Sequence, residues 1–158
     1  MKRNLNTKVK RAFYPWLAAS LLCMVVIFFF SSQNAEESSK YSGGLTRGLF
    51  QTIFRWFNID GTDSLFEMLE LIIRKASHLL IFLTLGVCSS STIRQVTGDR
   101  RKVFWISLCW SSFYAATDEF HQYFVPGRAC MWQDWLIDTV GALIGIGVAM
   151  GVARMRNK

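Results

Sequence analysis

Four long apolar runs constrain this chain more than any other feature. They cover approximately residues 13–32, 69–92, 103–124 and 132–153. Each is close to the ~20 residues that a helix needs to cross a hydrocarbon core of about 30 Å. Backbone amides in lipid must be satisfied within their own segment, so spans of this kind are helical. With 158 residues in all, little is left over for a soluble domain. The expected fold is all-α: a polytopic membrane protein, one domain over 1–158, with four transmembrane helices. A composition that is 51% hydrophobic and 15% aromatic agrees.

Four spans put both ends of the chain on one side. That side carries Lys2, Arg3, Lys8, Lys10, Arg11, Arg94, Arg100, Arg101, Lys102, Arg154, Arg156 and Lys158, with Asp99 its one acid. The other side has six bases against ten acids. Lys and Arg gather in short cytoplasmic segments, so both termini are expected inside and the stretch 117–138 outside. The net charge of +7 is thus a topology signal with some attraction to anionic lipid. It does not point to nucleic acid, and none is expected as a partner. The basic start and first apolar run fit a retained helix better than a cleaved signal, being long for that role and lacking a small-x-small cleavage site.

Between the first two runs, Leu45, Leu49, Phe50, Ile53, Phe54, Trp56 and Phe57 recur at helical spacing. That pattern predicts a short amphipathic helix over 45–57 in the outer interface. Pro15 is placed in the first turn of the first span, where a missing N–H costs least. Gly141 with Gly145, and Gly147 with Gly151, allow close helix approach in the last span. Cys23, Cys88 and Cys109 fall within spans and Cys130 outside. They form no disulfide or zinc-ligand spacing, and buried, inert thiols are expected. No metal or cofactor is expected.

The apolar character breaks where it should be strongest. From Val103 to Ala116 there are fourteen residues, roughly 21 Å of helix, before Asp118 and Glu119. These acids therefore lie at outer membrane depth, as do Arg74, Lys75 and His78 in the second run and Asp134 and Asp138 in the fourth. Arg74 and His78 share a helix face at i, i+4, as do Asp118 and Gln122, and Asp134 and Asp138. Charge in lipid is costly unless paired or hydrated, so these faces are expected to turn toward one another, and such residues are functional candidates. Ser31, Ser32 and Gln33 close the first run beside them. Interhelical pins are the alternative for any single member, and His121, off the Asp118–Gln122 face, reads as an interface residue.

At these residues the chain resembles the VanZ-like family of bacterial membrane proteins. The matching pieces are "SSQ" from Ser31, "RKASH" from Arg74 to His78, "DEFHQYFVPGR" from Asp118 to Arg128, and "DWLIDTVGALIG" from Asp134 to Gly145. The resemblance spans about residues 30 to 150 and implies a four-helix protein of the bacterial plasma membrane. The family takes its name from a protein associated with glycopeptide resistance, chiefly to teicoplanin. Two positions depart from the pattern: Asp138 stands where the resemblance leads one to expect Asn, and Phe82 where it leads to Tyr.

Two main functions fit these residues. The first is binding or remodelling of an anionic outer-leaflet ligand: a lipid, a lipid-linked wall precursor or a lipoglycopeptide. Its binding set is Ser32, Gln33, Arg74, Lys75, His78, Glu119, Gln122, Arg128, Asp134 and Asp138, with Arg74, Lys75 and Arg128 on the anion. Trp56, Phe57, Tyr123, Phe124 and Trp132 would hold the apolar part. The second is a membrane hydrolase or transferase with His78, Asp118, Glu119 and Asp138 as candidate acid, base or metal-ligating groups, although no nucleophile or metal signature is present. An ion-coupled transporter is a weaker alternative, since no repeat or mid-membrane charge is visible. The last is a purely structural role. Membrane lipids are the partners common to all of these readings, and oligomeric state is not legible.

Overall fold

The computed structural model of the protein describes residues 2–33, 48, 52, 56, 63–128 and 130–156, with the backbone alone at 2–11, 67 and 70. Four helices carry most of this chain: α1 (Lys2–Ser31), α2 (Asp63–Arg94), α3 (Arg100–Gln122) and α4 (Trp132–Arg156). No strand occurs among the described residues. Gly48, Thr52 and Trp56 are helical too, with Thr52 Oγ1 donating to the Gly48 carbonyl at 2.8 Å. The rest of the helix expected over 45–57 lies outside the described residues.

Among the described residues, three segments are long and apolar enough to cross a membrane: Ala12–Ser31, Asp63–Arg94 and Trp132–Arg156. The remaining helix, α3, is not among them. Arg100, Arg101 and Lys102 load one end, Asp118 and Glu119 the other, and Ser107, Ser111 and Ser112 lie between. Its polarity is nevertheless turned inward. Val103, Ser107, Ser111, Ala115, Asp118 and Gln122 are buried, a stripe at helical spacing, while Trp105, Ile106, Trp110 and Phe113 are exposed. Averaging along the helix hides this apolar outer face. Asp99 caps the start of α3, its carboxylate accepting from Arg101 N at 2.9 Å and Lys102 N at 3.4 Å, which satisfies amides without an intrahelical partner.

Two sequence expectations shift. Helix α1 begins at Lys2, so Pro15 lies inside it and not in its first turn, where its ring removes one interior hydrogen bond. Cys109 and Cys130 are exposed, whereas Cys88 is buried and Cys23 partly so.

Helix α2 is the hub. It packs most extensively on α4, then on α1 and α3, while α1 touches α3 little. The α2–α4 approach is set by glycine. A Cβ on Gly141 would collide with the Leu79 backbone, one on Gly145 with the Leu83 backbone, and one on Gly86 with the Ala142 backbone. Of the two expected glycine pairs, Gly141 and Gly145 serve this contact, and Gly147 and Gly151 face open space. Beside the seam, Ile27, Phe82, Leu85 and Ala115 form the fully buried core. Small polar groups complete it: Ser89 with Ser111 at 3.4 Å, Ser112 with Thr139 at 3.2 Å, and Tyr114 Oη donating to the Met24 carbonyl at 2.6 Å. Small and hydroxylic side chains are the usual means of close helix association in lipid.

Candidate functional site

The end of α1, the start of α2, the end of α3 and the start of α4 meet at one end of the bundle. Helices α2, α3 and α4 bring polar side chains there at i, i+4 spacing, and α1 brings Ser31 and Ser32. On α3, Gln122 Nε2 donates to Asp118 Oδ2 at 2.9 Å, the contact that their spacing predicts. Ser31 Oγ of α1 donates to the same oxygen at 2.8 Å. Asp118, Glu119 and Asp138 are 3%, 4% and 1% exposed, so each carboxylate is inside the protein.

Arg74, Lys75, His78, Glu119, Gln122, Asp134, Ile137 and Asp138 line one cleft. The common face expected for α2, α3 and α4 is therefore present. Lys75 Nζ pairs with Asp134 Oδ1. His78 Nδ1 lies 3.6 Å from Asp138 Oδ2, close but beyond hydrogen-bond reach. Glu119 Oε2 accepts from Met131 N at 3.0 Å, which fixes the approach to α4. Arg74 has no hydrogen-bond or ion-pair partner among the described residues. The cleft has a volume of about 10 Å³, space for about one water-sized group.

Four buried carboxylate oxygens have no hydrogen-bond partner among the described residues: Asp118 Oδ1, Glu119 Oε1, and both Oδ1 and Oδ2 of Asp138. Buried polar atoms are nearly always satisfied, and exceptions point to function or to a bound group. Here they cluster around the cleft and His78.

Arg128 is placed differently from the expectation of an anion-binding cation. Pro126 and Gly127, the latter with φ 76°, form a type II turn closed by Arg128 N donating to the Val125 carbonyl at 3.1 Å. Only glycine takes that φ without strain. The turn directs the guanidinium back over α1. Nε donates to the Gln33 carbonyl at 3.0 Å, Nη2 to the Phe30 carbonyl at 3.1 Å, and Nη1 to Gln122 Oε1 at 3.3 Å. It thereby covers carbonyls at the end of α1 that have no helical partner. Burial pulls the Arg128 pKa below its ordinary value, the nearby Arg74 charge acts in the same sense, and Asp118 and Glu119 oppose both. The residue is a clasp between α1 and α3.

The other sequence candidates fall around this arrangement. Gln33 meets Arg128 through its backbone. Ser32 Oγ donates to the Phe28 carbonyl at 2.6 Å and sits 3.1 Å from His121 Nε2, while the His121 ring lies against Phe28 with centroids 4.6 Å apart. Both are therefore away from the cleft wall. Among the serines closing α1, Ser31 is the one that reaches Asp118. The phase of α1 carries that signal: Ser20, Ile27 and Ser31 are buried, and Ser31 follows Ile27 by four residues, whereas Ser32 is rotated off the stripe. The backbone bond from Met131 to Glu119 has no sequence signal.

A family model described as VanZ/LLP1 matches residues 16–154, which takes in part or all of each of the four helices and every residue of the cleft. No curated protein and no solved structure matches the chain.

Proposed function

The chain belongs to the VanZ/LLP1 family, and from that premise we propose that this envelope membrane protein binds the anionic head group of an outer-leaflet ligand at its polar cleft. The ligand is a lipid, a lipid-linked wall precursor or a lipoglycopeptide, and capture of the last would lower susceptibility to teicoplanin-type antibiotics. One observation carries the reading. Of the three permanent cations among the described residues at this end, Lys75 is neutralised by Asp134 and Arg128 is committed to protein oxygens. Arg74 lines the cleft without a partner among the described residues. A guanidinium so placed offers a bidentate fork to a phosphate or carboxylate. The cleft admits an oxygen and not a whole head group, so the ligand stands at its mouth. At the same end of the bundle Tyr123, Phe124 and Trp132, at 67%, 65% and 65% exposure, offer apolar and interfacial contact to the tail.

The test uses the full chain in zwitterionic nanodiscs with short-chain phosphatidylglycerol as probe. Loss of a charge-assisted bond worth about 1.5–3 kcal/mol means that Arg74→Gln should weaken binding by about ten- to a hundredfold. Arg74→Lys should recover part of it, because a point charge cannot reproduce the fork. Equal binding by wild type and Arg74→Gln, at equal membrane abundance, would reject the reading. In cells expressing the protein, the same variants should lose any protection against teicoplanin in the same order.

A second reading, a hydrolase or transferase on a lipid-linked substrate, is favoured by Glu119. It lines the cleft beside His78 and Asp138 with Oε2 held by Met131 N and Oε1 unpartnered, the arrangement of an oriented base. Turnover lost in Glu119→Gln with binding retained would select it.

The same reading puts the site on the extracytoplasmic side and both termini in the cytoplasm, and takes α3 as a fourth span. The twelve bases of the terminal and 94–102 segments support the orientation. The exposed Trp105, Trp110 and Phe113 beside the buried serines of α3 support the fourth crossing. On a cysteine-free background, Lys40→Cys should react with an impermeant maleimide from outside and Gly98→Cys should be protected. Protection at 40 with reaction at 98 would move the site to the cytoplasm.

A further inference from the structure

We propose that His78, Asp118 and Asp138 bind a divalent transition-metal ion, of the zinc or manganese class, at the floor of the cleft. One ligand atom from each lies within 4.8 Å of the others. Bonds of about 2.0–2.2 Å at tetrahedral angles place donors about 3.5 Å apart. The triangle thus closes by side-chain rotation of about an ångström.

The state of the carboxylates gives the second and independent observation. Asp118 is 3% exposed and Asp138 1%. Asp118 Oδ2 is held by Ser31 and Gln122, and the Gln122 amide is itself oriented by Arg128 on its Oε1. That leaves Oδ1 as the free donor. Hydrogen bonds of this kind, fixing one oxygen and presenting the other, are how proteins orient a ligating carboxylate. Asp138 has neither oxygen bonded, and His78 Nδ1 stands just beyond hydrogen-bond distance from it. With the imidazole neutral and both carboxylates ionised, the form in which these groups ligate a metal, a divalent ion would compensate the buried negative charge.

The donor set narrows the metal. An imidazole disfavours magnesium and calcium, which take oxygen ligands, and the lack of a thiolate disfavours copper(I). Three protein ligands would leave a position open, and His78 and Asp138 line the same cleft as Arg74 and Glu119. The ion also bears on anion binding. Asp118, Glu119, Asp134 and Asp138 outnumber Arg74, Lys75 and Arg128 among the described charged groups in and beside the cleft. A divalent ion would offset this local excess of acid, and a phosphate or carboxylate oxygen could then be shared between the metal and Arg74. The metal site itself rests only on the three ligands, so it stands or falls apart from the lipid reading.

The test is metal content and affinity of the full chain in detergent, with no anionic lipid added. Wild type should retain about one zinc per chain through dialysis, as expected for a single built site. After chelator treatment it should rebind Zn²⁺ or Mn²⁺ far more tightly than Mg²⁺ in competition with a chromophoric chelator. Asp118→Asn, Asp138→Asn and His78→Gln should each weaken Zn²⁺ by at least about a hundredfold, since loss of an outer-shell partner alone costs about 10–100-fold. His121→Gln should not, which removes the protein's other histidine as the source. His78 is 19% exposed at its side chain and is the variant least prone to misfold. Gel filtration and helical circular dichroism identify the variants that remain folded. Wild type that binds no stoichiometric metal, or folded His78→Gln that binds as wild type does, overturns the proposal.

Discussion

Gly145→Val is expected to remove most of the folded protein from the membrane. A Cβ at Gly145 would meet the carbonyl oxygen and carbon of Leu83 and the amide nitrogen of Val87. All three are backbone atoms of α2, so no side chain can rotate out of the way. Overpacking against movable side chains already costs about 1–3 kcal/mol, and here a helix must shift. The loss reaches the site, because the α2–α4 seam sets the separation of His78 from Asp138 and of Lys75 from Asp134. Fluorescence-detected gel filtration should show a collapsed monodisperse peak for Gly145→Val. Gly147→Val, where nothing lies within 4 Å, should give a normal one. Normal behaviour of both would mean that the helices are not in backbone contact.

The contrast between these two glycines shows where sequence reading stops. Both pairs have the spacing of a packing motif, yet only the phase of α4 relative to α2 decides which is used. The apolar lengths of α1, α2 and α4 are legible in the chain because lipid imposes a minimum span. For α3 the reading depends on knowing which face is inside, since its buried serines and acids cancel its exposed tryptophans in any average. The polar cluster is legible for a related reason. Charges that interrupt long apolar runs have few places to go, and Arg74, His78, Glu119 and Asp138 do converge. Partner choice is not legible. Lys75 and Arg74 are adjacent in sequence, and only the three-dimensional position of Asp134 neutralises one and leaves the other. The triad of His78, Asp118 and Asp138 comes from three helices and has no spacing to recognise.

Arg128 is where sequence and structure assign different roles, and the difference has a large measurable consequence. An arginine that only held a ligand could be replaced by Gln with little loss of protein. As a clasp, Arg128 joins the Phe30 and Gln33 carbonyls at the end of α1 to Gln122 on α3. Gln122 in turn holds Asp118, which Ser31 of α1 also reaches. Removing the guanidinium leaves carbonyls and an amide oxygen unsatisfied in a partly buried place, at about 1–3 kcal/mol for each buried group. It also takes a positive charge from beside Asp118 and Glu119. Since α1 packs little against α3 elsewhere, few other contacts compensate. Arg128→Gln should therefore lower membrane abundance several-fold and bring the thermal unfolding midpoint down, before any question of ligand binding arises. Arg128→Lys should recover the charge but only part of the abundance, because one ammonium does not span three acceptors with the geometry of the fork. Arg74→Gln provides the comparison: it should keep abundance and lose binding. Quantitative blotting of membranes with the binding assay on the same preparations separates the two. If Arg128→Gln is as abundant and as stable as wild type while losing binding, Arg128 is a ligand-holding residue and the clasp is not what secures the end of α1.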